Sequence, residues 1–201
     1  TQAVKDGATV KIYYESRIIP LNIPLDTNID EEVEELVEGQ EADFQMKAKQ
    51  KWSRLEAVAG AQNRLKTLAK DIVEHYEVRQ SAMFGKSMVV VMSRRIAIEL
   101  YKEIITLRPD WHSDDDDKGV IKIVITGSSS DPVEWQPFIG NKKRRESLST
   151  RMKDDQDPLK IVIVRDMWLT GFDVPSLNTM YIDKPMKGHN LMQASARVNR
   201  V

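Results

Sequence analysis

Gln193, Arg197 and Arg200 recur at i, i+4 and i+7 near the end of this chain. At 100° per residue, a helix puts all three on one face. Arginine is the side chain suited to multidentate contact with phosphate. Two guanidinium groups sharing a face repel each other unless an anion or a carboxylate sits opposite. The chemistry this spacing serves is phosphoryl transfer, with arginines offered across a cleft; the plain alternative is a solvated basic stripe. Upstream, an apolar run is followed by Gly171-x-Asp173. Gly171 suits a turn where the backbone takes positive φ or comes close to a ligand. Asp173 could accept from a ribose hydroxyl or hold an arginine in place. Gly-x-Asp alone is also an ordinary turn, and the arginine helix beside it gives it weight.

A second group has the types needed to hold a nucleic-acid backbone. Ser93 ends one strand and opens a helix, so its hydroxyl and the free N–H groups of that turn could take a phosphate. A simple N-cap uses the same residue. Arg94 follows it, and Thr126 and Arg165 end the next two strands. The run Lys142-Lys-Arg-Arg145 could track nucleic acid, but the acids around it read more simply as a solvated face. The four aspartates at 114–117 are read as a solvated loop, and no metal site is assigned. The histidines at 75, 112 and 189 show no ligand spacing.

These residues need a scaffold, and the chain supplies strand and helix patterns in alternation. The runs at 87–92, 120–125, 161–164 and 180–182 read as strands. Helices are expected after the first, over 134–153, and from His189 onward. Strands alternating with helices predict a parallel α/β sheet, in which ligands bind beyond the C-terminal strand ends. Before the sheet, residues 10–14 (VKIYY) read as a short strand and 16–28 as a connector. Residues 30–80 carry helical stripes, the clearest being Leu65, Leu68, Ala69, Ile72, Val73 and Tyr76. Trp52 and Tyr76 are expected in the core of that block.

The bulk numbers exclude several classes. At 201 residues with 30% charged and 41% apolar residues, the chain suits one domain or one domain with an insertion. A net charge of −1 carries no global signature of nucleic-acid binding, so such binding needs a local patch. No run approaches membrane-spanning length. With no cysteine there are no disulfides or thiolate metal sites, which fits a reducing cytoplasm. The chain stops one residue past Arg200, directly after a motif, and is read as a piece of something longer.

The segment IVIVRDMWLTGFDVP resembles motif V of superfamily 2 helicases, HNLMQASARVNR resembles motif VI, and KSMVVVMSRRIAIELY resembles motif IV. The wording from Leu169 to Val201 is similar to the motor region of the R (HsdR) subunit of type I restriction enzymes. DGATVKIYYESR and the helical WSRLEAVAGAQNRLKTLAKDIVEHYEVR block resemble that subunit too. The resemblance implies a RecA-like parallel sheet flanked by helices with an N-terminal helical insertion. It divides the chain into 1–29 (strand and connector from the first motor lobe), 30–80 (insertion) and 81–201 (second motor lobe). It implies Arg197 and Arg200 as arginine fingers with Gln193 beside them. Gly171 and Asp173 would face nucleotide, and Ser93, Arg94, Thr126 and Arg165 would lie on the DNA side. ATP and Mg2+ would be shared with a first lobe, double-stranded DNA would be the track, and methylation and specificity subunits would complete a cytoplasmic complex.

There is no GxxxxGK[ST] here and no Asp-Glu pair ending an apolar strand. The 201 residues alone are therefore expected neither to hydrolyse ATP nor to cut DNA. The competing readings are the lobe of another superfamily 2 helicase and a non-catalytic scaffold whose helical block docks a partner. A dinucleotide-binding domain would need a GxGxxG that the chain lacks.

Overall fold

The computed structural model describes residues 12–17, 19–20, 41–169, 171–186, 188–195 and 198, with the backbone alone at 41–48 and 188–190. Two helices lead, α1 (Glu41–Ala59) and α2 (Gln62–Ala82). The sheet follows as β1 (Lys86–Val91), α3 (Arg94–Leu107), β2 (Ile121–Val124), α4 (Lys142–Lys153), β3 (Ile161–Val164), β4 (Leu177–Asp183) and α5 (Gly188–Ser195). The strand order is β2-β3-β1-β4, parallel throughout. This is the expected α/β sheet of RecA-like type, flanked by helices.

The alternation of side chains builds a core on each face. Val89, Val91, Ile121, Ile123, Ile161 and Ile163 point to one side, where α2 and α3 cover them. Met88, Val90, Val124, Val162 and Val164 point to the other, under Leu148 and Met152 of α4 and Ala194 of α5. Burial on both faces is why β1, β2 and β3 read as unbroken apolar runs rather than alternating ones. In α2 the stripe from Leu65 to Tyr76 is buried as its period requires, and it shares its core with the sheet.

Several expectations are corrected. Residues 12–14 are not a strand, and Tyr13 and Tyr14 are exposed. Residues 10 and 11, and the first part of the helical block at 30–40, lie outside the described residues. Trp52 is 38% exposed rather than core. The helix expected over 134–153 is broken into a 3-10 segment (Val133–Phe138) and α4. Pro137 lacks an N–H and opposes a continuous α-helix, and Asn141 starts the second piece by accepting from the Arg144 N–H at 2.8 Å. β4 is longer than the expected 180–182, running from Leu177 to Asp183.

The basic run is not simply a solvated face. The Arg144 side chain is partly buried, donating to Asp116 at 2.7 Å and to the carbonyls of Phe138 and Ile123. Asp116 therefore serves as an anchor for α4 rather than as a free loop carboxylate. A fully buried cation, Lys86, opens β1. Its Nζ donates to the carbonyls of Arg151 (2.8 Å) and Asp154 (2.5 Å) at the C-terminus of α4, where the helix dipole favours positive charge.

Burial pushes the Lys86 ammonium down to about 8, with the charge of Lys160 adding to it. The neutral amine keeps two N–H groups for the same two carbonyls, so deprotonation removes a buried charge without losing either bond. The unfolded chain holds this proton up to an ordinary value of 10.5. Between these values the unfolded state binds more protons, so stability rises with pH. The urea midpoint is expected to increase from pH 7 to pH 9.5, by on the order of 1 kcal/mol in stability. Lys86→Met should flatten that rise. An equal rise in wild type and variant would contradict the assignment.

Candidate nucleotide and nucleic-acid interface

The C-terminal edge of the sheet gathers residues from three strands. Ser93 follows β1 in extended backbone and caps α3, its Oγ accepting from the Ile96 N–H at 3.2 Å. The next residue, Arg94, reaches across to the end of β2. Its Nη1 donates to the Thr126 carbonyl at 2.9 Å and to Asp131 at 2.5 Å. Asp131 is 3% exposed and also accepts from the Ser128 N–H at 2.6 Å. Burial pushes its carboxyl up, but the Ser128 amide and Arg94 hold it below the usual range. The Arg94 guanidinium lies 5.7 Å from the Trp135 ring centroid. Arg94 thus has its charge matched and its geometry fixed, and it ties Thr126 and the exposed serines at 128–130 to the start of α3.

The end of β3 is different. Arg165 is exposed and pairs with Asp166 at 3.1 Å. Lys184, just past β4, grips the same carboxylate from the far side of β1. Two cations share one carboxylate, which leaves this end of the edge net positive. Nearby, Arg64 of α2 holds Asp183 through two bonds of 2.5 and 3.0 Å, fixing where β4 ends.

Residues 165–176 then return to the start of β4 over the second face of the sheet, and the Lys86 N–H donates to the Ser176 carbonyl at 2.8 Å. Leu169, Phe172 and Val174 point into the core, while Arg165, Asp166, Gly171 and Asp173 point out. The chain here is an arch rooted at three points. Gly171 has φ +68, and a Cβ added there would meet nothing within 4 Å. Its backbone conformation and the open space beside it match a turn that a ligand could approach. α5 packs into the same core through Ala194, with Val198 against it, which brings Gln193 and the arch onto one side of the molecule. Thr170, Arg197 and Arg200 lie outside the described residues.

Three features of this interface escape a reading of the sequence. Asp131 as the buried centre of the serine loop, and Lys184 as the second partner of Asp166, depend on strands far apart in the chain. Trp168 has φ +67. That left-handed conformation costs a non-glycine residue on the order of 1–3 kcal/mol, and tryptophan gives no local signal of it.

A cleft of about 630 Å3 runs beside β4, lined in part by Arg17, Asp71, His75 and Tyr181 and reaching Pro175, Asp183 and Ser195. Arg17 there donates to both oxygens of Asp71, and His75 Nδ1 and the Tyr181 hydroxyl are 2.9 Å apart. Among the described residues no helix is long and apolar enough to cross a membrane.

The family model for type I restriction enzyme subunit R domain 3 matches residues 136–201. The HindI endonuclease subunit of a type I restriction enzyme from Haemophilus influenzae is 51% identical over 200 residues, covering 99% of this chain and 18% of that protein. A putative type I restriction enzyme endonuclease subunit, MjaIXP, from Methanocaldococcus jannaschii is 43% identical over 205 residues, covering 100% of this chain and 19% of that protein. The chain thus spans about a fifth of the length of the curated relatives it matches. With identity of this level along its whole length and a subunit-R domain matched over its last third, the chain belongs to the family of type I restriction enzyme R (endonuclease) subunits.

Proposed function

We propose that this chain is the second motor lobe of an ATP-dependent, DNA-translocating restriction subunit. The observation that carries the reading is the arch between β3 and β4. It holds exposed Arg165 at one end and exposed Gly171 and Asp173 at the other, on a common rigid base. In this reading ATP lies between this lobe and a first lobe that binds its β and γ phosphates and Mg2+. Gly171 and Asp173 face the nucleotide, with Gln193 on the adjoining helix. Arg197 and Arg200 reach the phosphates, where fixed guanidinium groups stabilise the charge that builds up during phosphoryl transfer. Methylation and specificity subunits complete the complex in the cytoplasm, and double-stranded DNA is the track.

On the DNA side, Ser93, Thr126 and Arg165 contact phosphates. Arg94, already matched by Asp131, acts through the loop it holds. A test on the full complex separates these roles. Each phosphate charge contact contributes about −0.9 to the slope of log K against log salt concentration. Arg165→Ala should weaken DNA binding and reduce the magnitude of that slope by about 0.9. Arg94→Ala should weaken binding with the slope unchanged, because its charge is already cancelled. Unchanged affinity and slope in Arg165→Ala would remove Arg165 from the DNA side.

A further inference from the structure

We infer that the Trp168–Phe172 stack is a positioning clamp that makes the two ends of the arch move as one body; this rests on the motor-lobe reading above. The two rings lie with centroids 4.1 Å apart and planes 13° from parallel. Phe172 is buried in the second core cluster, while Trp168 is half-buried and packs against that cluster from outside. The Lys153 Nζ, at the end of α4, lies 5.7 Å from the Phe172 ring centroid. Phe172 is therefore fixed from below by the core, and Trp168 is laid flat upon it.

The backbone shows that this placement is enforced. Trp168 at φ +67 and Gly171 at φ +68 are two left-handed residues three positions apart, and among the described residues Trp168 is the only non-glycine with positive φ. Glycine accepts this conformation; tryptophan does not. If Trp168 served only to fill space, an ordinary φ would serve as well. Its conformation instead folds residue 168 back over residue 172, closing the three-residue span between them. That span separates Arg165 and Asp166 on one side from Asp173 on the other. With the stack closed, a displacement at Arg165 is passed to Asp173 through packed rings rather than absorbed by a loose loop.

Trp168 and Phe172 are therefore positioning residues that couple the DNA end to the nucleotide end. The readout is the number of ATP molecules consumed per base pair translocated by the complete restriction complex. Trp168→Ala is expected to raise that number severalfold. Trp168→Gly, which suits the backbone but lacks the ring, should do the same, and Trp168→Phe, which keeps the stack, should stay near the unmodified value. Phe172→Leu, which fills the core but removes the lower ring, should behave as Trp168→Ala and decides the matter if that variant does not fold. Unchanged coupling in Trp168→Gly or Phe172→Leu overturns the clamp, as does a Trp168→Phe variant as uncoupled as alanine. An unmodified complex whose ATP use does not depend on DNA overturns the motor reading itself. The two failures are distinct because the second appears without any substitution.

Discussion

Replacing Arg197 or Arg200 by alanine in the full subunit is expected to lower ATP turnover by at least about 10³-fold, the lower end of what an arginine finger contributes. That corresponds to roughly 4 kcal/mol of transition-state stabilisation. The loss should appear in kcat more than in KM, because the guanidinium acts on charge that develops during transfer rather than on bound nucleotide. Lysine should rescue poorly at either position, since a point charge lacks the planar fork that engages two phosphate oxygens. Steady-state phosphate release in the presence of DNA is the measurement. Near-normal turnover in both alanine variants would end the finger assignment.

The largest effect on stability is expected at Arg151. Its side chain is 7% exposed and is used almost fully. The Nη1 donates to the carbonyls of Asp116 and Lys118 at 2.6 and 3.0 Å, and Nη2 to that of Gly119 at 3.2 Å. Nε and Nη2 hold Asp157 at 2.8–3.1 Å. One guanidinium thereby joins α4, the acidic turn before β2 and the turn before β3. Arg151→Ala leaves a mostly buried carboxylate and three carbonyls without their donor, which should cost about 3–5 kcal/mol. Arg151→Lys should recover only part, since one ammonium cannot span all four acceptors. The shift is read from the urea midpoint at neutral pH; a change below about 1 kcal/mol would contradict the assignment.

Asp157 adds a signature in acid. Burial pushes its carboxyl up, but Arg151 and the Leu159 N–H hold it below the ordinary 3.8. A depressed carboxyl contributes stability above its unfolded value, lost as pH falls through the folded one. In Arg151→Ala that contribution should be smaller and should vanish at higher pH.

The sheet was legible because β1, β2 and β3 are buried on both faces, which forces continuous β-branched runs that no helix stripe imitates. The α2 stripe was legible for the converse reason, since one buried face imposes a 3.6-residue period from Leu65 to Tyr76. Gly171 was legible because positive φ selects glycine so strongly. The break at Pro137 was readable in principle, but the polar run on either side of it masked it.

Which charges stand free and which are already paired could not be read in this way. Arg94, Arg144, Arg151 and Arg165 are chemically alike, yet three of them meet partners that arrive from other elements and one remains exposed. Lys86 and Lys122 look like surface lysines but end with their ammonium groups on backbone carbonyls. The sequence by itself determined the four strands of the sheet, the parallel α/β class and the family, because periodicity and motif wording are local properties of the chain. Only the tertiary structure decided that Arg94 holds a loop, that Asp166 is shared by Arg165 and Lys184, and that Trp168 is folded onto Phe172. Each of these depends on strand order and on which loops meet at a sheet edge, and no short stretch of sequence carries that information.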